Sequence, residues 1–253
     1  QSRATNNTRP IVELALALFG HPEAGNIWEN HAFSWLRKLG WKDAPEFPSV
    51  FKHTDGSISV VFLVAGLILF GLGEALLVAA GVGVSPWTVL AQGIMQVTGW
   101  SIGFATFVTS VVVLLLWVPL KQTPGMGTIL NAIIISLVLE FLLPFLPTFD
   151  HLGLQLAEAT LGVLVTGFGG GLYLISNLGP GPRDGLMTGL QRVTDLPIAW
   201  VRSGIELSVI AAGWALGGTV GFGTVLFALG IGPSVAASMY GLNSMFGQKK
   251  VLS

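Results

Sequence analysis

Gly83-Val84-Ser85-Pro86-Trp87-Thr88 and Gly179-Pro180-Gly181-Pro182-Arg183-Asp184 are the two stretches whose reading decides the fold. Each interrupts a long apolar run and leads into a short apolar stretch, Trp87 to Val97 in one case and Gly185 to Val193 in the other. They stand 96 positions apart (179 − 83 = 96), and sliding the chain by that distance aligns it with itself without a gap. Gly71 and Gly73 fall on Gly167 and Gly169, Gly83 and Pro86 on Gly179 and Pro182, and Gly93 on Gly189. Val97-Thr98 falls on Val193-Thr194, and Gly125-Met126-Gly127-Thr128 on Gly221-Phe222-Gly223-Thr224. Of the 67 pairs that begin at Gly71 and end at Leu137, 19 are identical. Apolar composition scatters Leu and Val matches, but it does not bring Gly, Pro and Thr into register at both ends of a unit. The chain therefore contains an internal repeat.

The repeat is built for a bilayer. Hydrophobic residues make up 52% of the 253 residues and charged residues only 10%, against about 25% charged in soluble domains. From Ala75 to Leu120 there is no charged residue. Six apolar runs have the length of membrane crossings: 58–80, 100–119, 127–146, 156–177, 201–217 and 223–241. The expected fold is an all-α membrane protein with six transmembrane helices, arranged as two three-span repeats over 58–146 and 154–241. Each repeat has a short helix broken off by Gly and Pro. Three spans is an odd number, so consecutive repeats sit inverted in the membrane, as in many secondary transporters. The basic residues agree. With the N-terminus inside, inner segments hold Lys52, Lys121, Arg183, Arg192, Lys249 and Lys250, and Arg202 lies at the inner mouth of span five. The outer segments 81–99, 147–155 and 218–222 hold no Lys or Arg. Residues 242–253 are then a cytoplasmic tail.

Residues 1–57 form a distinct extension rich in tryptophan. From Ile27 to Leu39 the apolar residues recur at helical spacing, with Trp28 and Trp35 on the stripe and Trp41 just beyond it. This suits a helix lying among lipid headgroups or docked on a partner membrane protein. No signal peptide is expected, because Glu13 interrupts the first apolar run.

Irregular backbone within a membrane persists only where protein buries it or water reaches it. The start of a short helix there offers free N–H groups and a positive dipole end to an anion or a carbonyl. Backbone near Ser85 to Thr88 and Pro182 to Asp184 is thus the first candidate for a substrate site. Charge accumulates in the second repeat: Arg183 and Asp184 replace Trp87 and Thr88, and Arg202 and Glu206 replace Thr106 and Ser110. Arg202 and Glu206 are four apart and share a helix face, as a gate or as a structural pair. Glu74, in span one, has no counterpart because its mate is Gly170. A carboxylate there is either a proton-coupling group or a neutral hydrogen-bonded one. Glu140 and Glu158 lie nearer span ends and are expected to reach the headgroups.

Several classes fall away. A net charge of −1 offers nothing to nucleic acid, and the absence of Cys removes disulfides and thiolate chemistry. His21, His31, His53 and His151 do not stand at metal-ligand spacing, so neither a metal nor another cofactor is expected. No Asp dyad, Ser/His pair or HExxH is present, so no enzyme is expected.

The run Gly179-Pro-Gly-Pro-Arg-Asp-Gly-Leu-Met187 resembles a signature of the bacterial YczE/YitT-like multi-pass membrane proteins. So do Val201 to Glu206, Gly217 to Val225, Gly83 to Thr88 and Gly125 to Thr128. The resemblance covers about residues 58–240 and leaves out the extension. It implies a bacterial cytoplasmic membrane protein of a largely uncharacterised family, some relatives of which are associated with antibiotic export. The expected function is a small transporter or exporter of an amphipathic or anionic organic molecule. The alternative is an accessory or assembly subunit of a larger membrane complex, with residues 1–57 contacting the partner.

Overall fold

The computed structural model of the chain describes residues 41–44, 47–53, 56–176 and 178–247, with side chains over 60–176 and 178–242. A two-stranded antiparallel hairpin, β1 (Trp41–Ala44) and β2 (Phe47–His53), precedes the membrane body. The all-α expectation holds for the membrane body that follows it. The helix expected over Ile27 to Leu39, with Trp28 and Trp35, lies outside the described residues. Trp41 opens β1.

Eight helices follow among the described residues: α1 (Gly56–Ala80), α2 (Pro86–Thr98), α3 (Ile102–Trp117), α4 (Met126–Leu142), α5 (Leu152–Ser176), α6 (Pro182–Thr194), α7 (Ile198–Ala215) and α8 (Phe222–Gly247). The repeat distance governs their bounds. α1 and α5 begin and end 96 apart (152 − 56, 176 − 80), and so do α2 and α6 (182 − 86, 194 − 98). Local chemistry explains why. Pro86 and Pro182 open α2 and α6, where a missing N–H costs nothing. Gly99 at φ 73° and Asp195 at φ 56° end the same two helices in the left-handed conformation.

The centre of the molecule is the pair α1 and α5. A Cβ built on Gly66 would lie 2.8 Å from the Gly169 carbonyl oxygen, and one on Gly73 would lie 2.6 Å from that of Gly162. Rising along α1 thus means descending along α5, so the two helices are antiparallel, and small residues let their backbones touch. The contacts are also reciprocal. Gly66 and Gly73 map by 96 onto Gly162 and Gly169, so each contact is the image of the other. The same exchange holds farther out. Gly127 donates its N–H to the Leu178 carbonyl at 2.8 Å, and Gly223 donates to Val82 at 2.9 Å (127 + 96 = 223, 82 + 96 = 178). The contacts between the halves therefore come in exchanged pairs.

Leu63, Leu67, Ile135 and Tyr173 pack at one end of this pair, and Leu77, Val84, Val163, Phe227 and Ile231 at the other. Large apolar side chains such as Val112, Leu115, Leu161, Leu164 and Leu229 face outward, as a hydrocarbon solvent permits. Among the described residues, four stretches are long and apolar enough to cross a membrane: Val60–Ala80, Met126–Phe145, Leu152–Ser176 and Phe222–Leu242. α2 and α3 meet at 114°, and counting them as one broken span gives five. The expected crossings at 100–119 and 201–217 correspond to α3 and α7, of 16 and 18 residues, shorter than the roughly 20 of a simple crossing.

Candidate functional site

After Ala80 the chain turns back on itself. Gly81 at φ 69° and Gly83 at φ 114° make the turn, and a Cβ at Gly83 would meet the backbone of Gly221 at 2.6 Å. The turn returns Ser85 and the first residues of α2 to the level of Glu74, inside α1. Ser85 Oγ donates to Glu74 Oε2 at 2.7 Å and Thr88 Oγ1 donates to the same oxygen at 2.6 Å. Ser85 also lies 2.9 Å from Thr88. One hydroxyl carries one proton, so Ser85 serves either partner in turn. Glu74 is 1% exposed, and its Oε1 is buried without a hydrogen-bond partner.

The second half repeats the turn with other side chains. Gly179, at φ 124°, sets it, and Thr128 Oγ1 holds the Pro180 carbonyl at 2.7 Å. Asp184 accepts a hydrogen bond from the Tyr173 hydroxyl of α5. The Arg183 guanidinium carbon stands 5.3 Å from the centre of the Phe70 ring, within cation–π range. The Trp117 indole N–H donates to the Pro182 carbonyl at 2.9 Å and ties the end of α3 to the start of α6.

These two half-helix beginnings face one cavity of about 30 Å³, room for roughly one water molecule. Glu74, Trp87, Thr88, Thr109, Asn131 and Arg183 are among its walls. Glu74 and Arg183 border the same space from opposite halves. On the other side of Trp87, Thr109 and Val113, which border both spaces, opens a second pocket of about 590 Å³. It is lined mainly by apolar residues of α2, α3, α6 and α7, including Leu90, Val112, Leu186 and Trp200. The indole nitrogen of Trp87, on the dividing wall, is buried without a partner.

Five of the residues singled out by sequence are thus brought to the two turns: Glu74, Ser85, Thr88, Arg183 and Asp184. Arg202 and Glu206 are not among them. They pair at 2.9 Å on α7, 44% and 24% exposed, and line neither space. Glu140 does not reach outward as expected, because its Oε2 accepts the Gly103 N–H at 2.9 Å and caps the start of α3. Glu158 is also buried, with neither carboxylate oxygen hydrogen-bonded. Sequence reasoning missed Tyr173, Asn131 and Trp117. Tyr173 had a signal: it is one of two tyrosines in the chain and lies within an apolar run. Among the described residues no group of three His, Cys, Asp or Glu could hold a metal ion.

The fold and this buried polar site define a multi-pass α-helical membrane protein. The chain belongs to the family of unknown function DUF6198, whose profile matches residues 57–240. An uncharacterised protein of Haemophilus influenzae is 45% identical over 177 residues, covering 70% of this chain and 81% of that protein. The uncharacterised membrane protein YczE of Bacillus subtilis is 32% identical over 170 residues, covering 66% of this chain and 79% of that one. No solved structure matches.

Proposed function

We propose that the protein is a small secondary transporter of the cytoplasmic membrane that carries an amphipathic organic anion through the space between its two halves. The observation that carries this reading is the joining of two unlike spaces at one wall. A small cavity bordered by Glu74, Arg183 and the start of both half-helices adjoins an apolar pocket about twenty times its volume. An anionic head would sit on Arg183 and the helix N-termini. An apolar body would fill the pocket.

The topology we infer is six crossings in two inverted repeats, with both termini inside. Antiparallel α1 and α5 support inversion. The end of α1 meets the start of α8, and the end of α5 meets the start of α4, so these junctions mark opposite faces. Gly103, opening α3, meets Glu140 near the end of α4, whereas Trp117, closing α3, meets Pro182. α3 therefore runs from one face to the other, and α2 stays in a single leaflet.

Vesicles reconstituted with the full chain test the transport reading. Octanesulfonate, a permanent amphipathic anion, enters at least tenfold faster than into vesicles carrying the Arg183→Gln variant. Methanesulfonate, which lacks the apolar body, gains little. Gly204→Phe fills the apolar pocket, where a Cβ meets nothing within 4 Å, and slows octanesulfonate selectively. Equal rates for protein-free, native and Arg183→Gln vesicles sink the proposal. A membrane partner that copurifies in fixed ratio, and is lost on deleting residues 1–57, favours an accessory subunit instead.

A further inference from the structure

We infer that Glu74 is the proton site of this transporter, and that an anion binds at Arg183 only together with a proton on Glu74. The inference rests on the transport reading above and adds the coupling ion to it.

The geometry assigns the two carboxylate oxygens different tasks. Oε2 already accepts hydrogen bonds from the hydroxyls of Ser85 and Thr88. A proton taken up by Glu74 therefore belongs on Oε1, which has no partner and belongs to a side chain bordering the cavity. The two hydroxyls hold the carboxyl group in place in either protonation state, so the proton comes and goes without rebuilding the site.

The charges around α1 leave one opposing partner for Glu74. Arg183 of α6 borders the same cavity. Asp184 of α6 accepts from the Tyr173 hydroxyl, does not line the cavity and is exposed, so its charge is met by solvent. Glu140 of α4 is engaged by Gly103. Glu158 of α5 does not line the cavity. α2 contributes only the neutral Ser85 and Thr88. With Glu74 ionised, the positive charge of Arg183 is balanced across a cavity of about 30 Å³, and an arriving anion meets a fixed negative charge. With Glu74 protonated, Arg183 is unbalanced and the anion restores neutrality. Either state keeps the charges that border the cavity in balance, which the low-dielectric surroundings of buried Glu74 favour. The cavity is disfavoured for a cationic substrate, since Arg183 already occupies it. One proton thus moves with each monovalent anion, electroneutrally, and direction follows the combined gradients of proton and substrate.

Vesicles with a pH-sensitive dye in the lumen provide the test, with octanesulfonate as the probe because it cannot carry a proton itself. In the native protein, sulfonate flux and luminal acidification run one to one, and an imposed potassium diffusion potential leaves the rate unchanged. In Glu74→Gln, acidification is lost and the remaining sulfonate movement follows the potential. Sulfonate movement without protons in the native protein overturns the coupling and leaves the transport reading standing. No sulfonate movement at all overturns both. A second measurement needs no variant. Calorimetric binding of octanesulfonate to the purified chain, in buffers of different ionisation enthalpy from pH 6 to 9, shows uptake approaching one proton per anion. Zero uptake throughout that range overturns the inference.

Discussion

At the first turn of α2 stand Trp87 and Thr88, and at the matching turn of α6 stand Arg183 and Asp184. The two turns share one glycine (Gly83 and Gly179), one proline (Pro86 and Pro182) and a hydrogen bond to the opposite half. They differ in what they present: one an indole beside an apolar pocket, the other a guanidinium. The partners differ too, since Thr88 is held by a carboxylate of α1 and Asp184 by a phenol of α5. Because both turns border one cavity, divergence between copies yields a site with an apolar side and a charged side. A single unduplicated unit has only one such turn.

That comparison can be broken most completely at the level of topology. Gln96 and Arg192 are repeat mates (192 − 96 = 96), both exposed, near the ends of α2 and α6. Single cysteines placed there in this Cys-free chain label with an impermeant maleimide from opposite sides of the membrane. Labelling from the same side refutes inversion outright.

The next largest effect is at the core. Gly73→Leu drives a side chain into the Thr166 and Gly162 backbones, 2.5 and 2.6 Å from its Cβ. Neither can withdraw, so the loss is about 3 kcal/mol or more, read as a fall in Tm and loss of a monodisperse peak after extraction. Gly204→Leu, in open space, leaves Tm within a degree or two of the native value, because stability there changes by about 0.5 kcal/mol or less. Arg183→Gln comes next. Arg183 is half-buried, and a charged hydrogen bond of that kind is worth about 1.5–3 kcal/mol, so octanesulfonate binding weakens roughly 10- to 100-fold.

Smaller still is Thr88→Ala. It removes one hydroxyl that supports the ionised carboxylate, worth about 1 kcal/mol. Ionised Glu74 opposes the anion, so the variant binds octanesulfonate about fivefold more tightly, a direction that a merely structural hydroxyl would not produce. The smallest effect belongs to Arg202→Gln or Glu206→Gln. Their exposed pair contributes about 0.5 kcal/mol or less, and transport changes by less than twofold.

Much of the fold was legible because the repeat is gapless: the 96-position offset fixed by Gly, Pro and Thr recurs between the starts of α1 and α5, α2 and α6, α3 and α7, and α4 and α8. The short helices after Gly83 and Gly179 were legible for the same reason. The Trp41–His53 hairpin was not, since its prolines gave no pairing signal. Part of the site was legible as types: an unmatched Glu74, and Arg183 in place of Trp87. Arg202 and Glu206 looked equally promising by spacing, and nothing in their sequence says that they face away from both spaces. Glu140 shows the converse, because its position near a helix end suggested the headgroups while its partner Gly103 lies 37 positions away.

By itself, then, the sequence determined a membrane protein of two copies, the places where each copy breaks, and the uneven distribution of charge. These follow from hydropathy, backbone stereochemistry and register, which are local or periodic properties. Only the tertiary structure decided that Glu74 meets Ser85 and Thr88, that Arg183 borders the same cavity from the other half, and that Trp87 divides it from an apolar pocket. Those relations depend on how closely α1 and α5 approach and on which way each half-helix turns back. Such contacts join residues as far apart as 109 positions (183 − 74 = 109), and no spacing rule reaches across that distance.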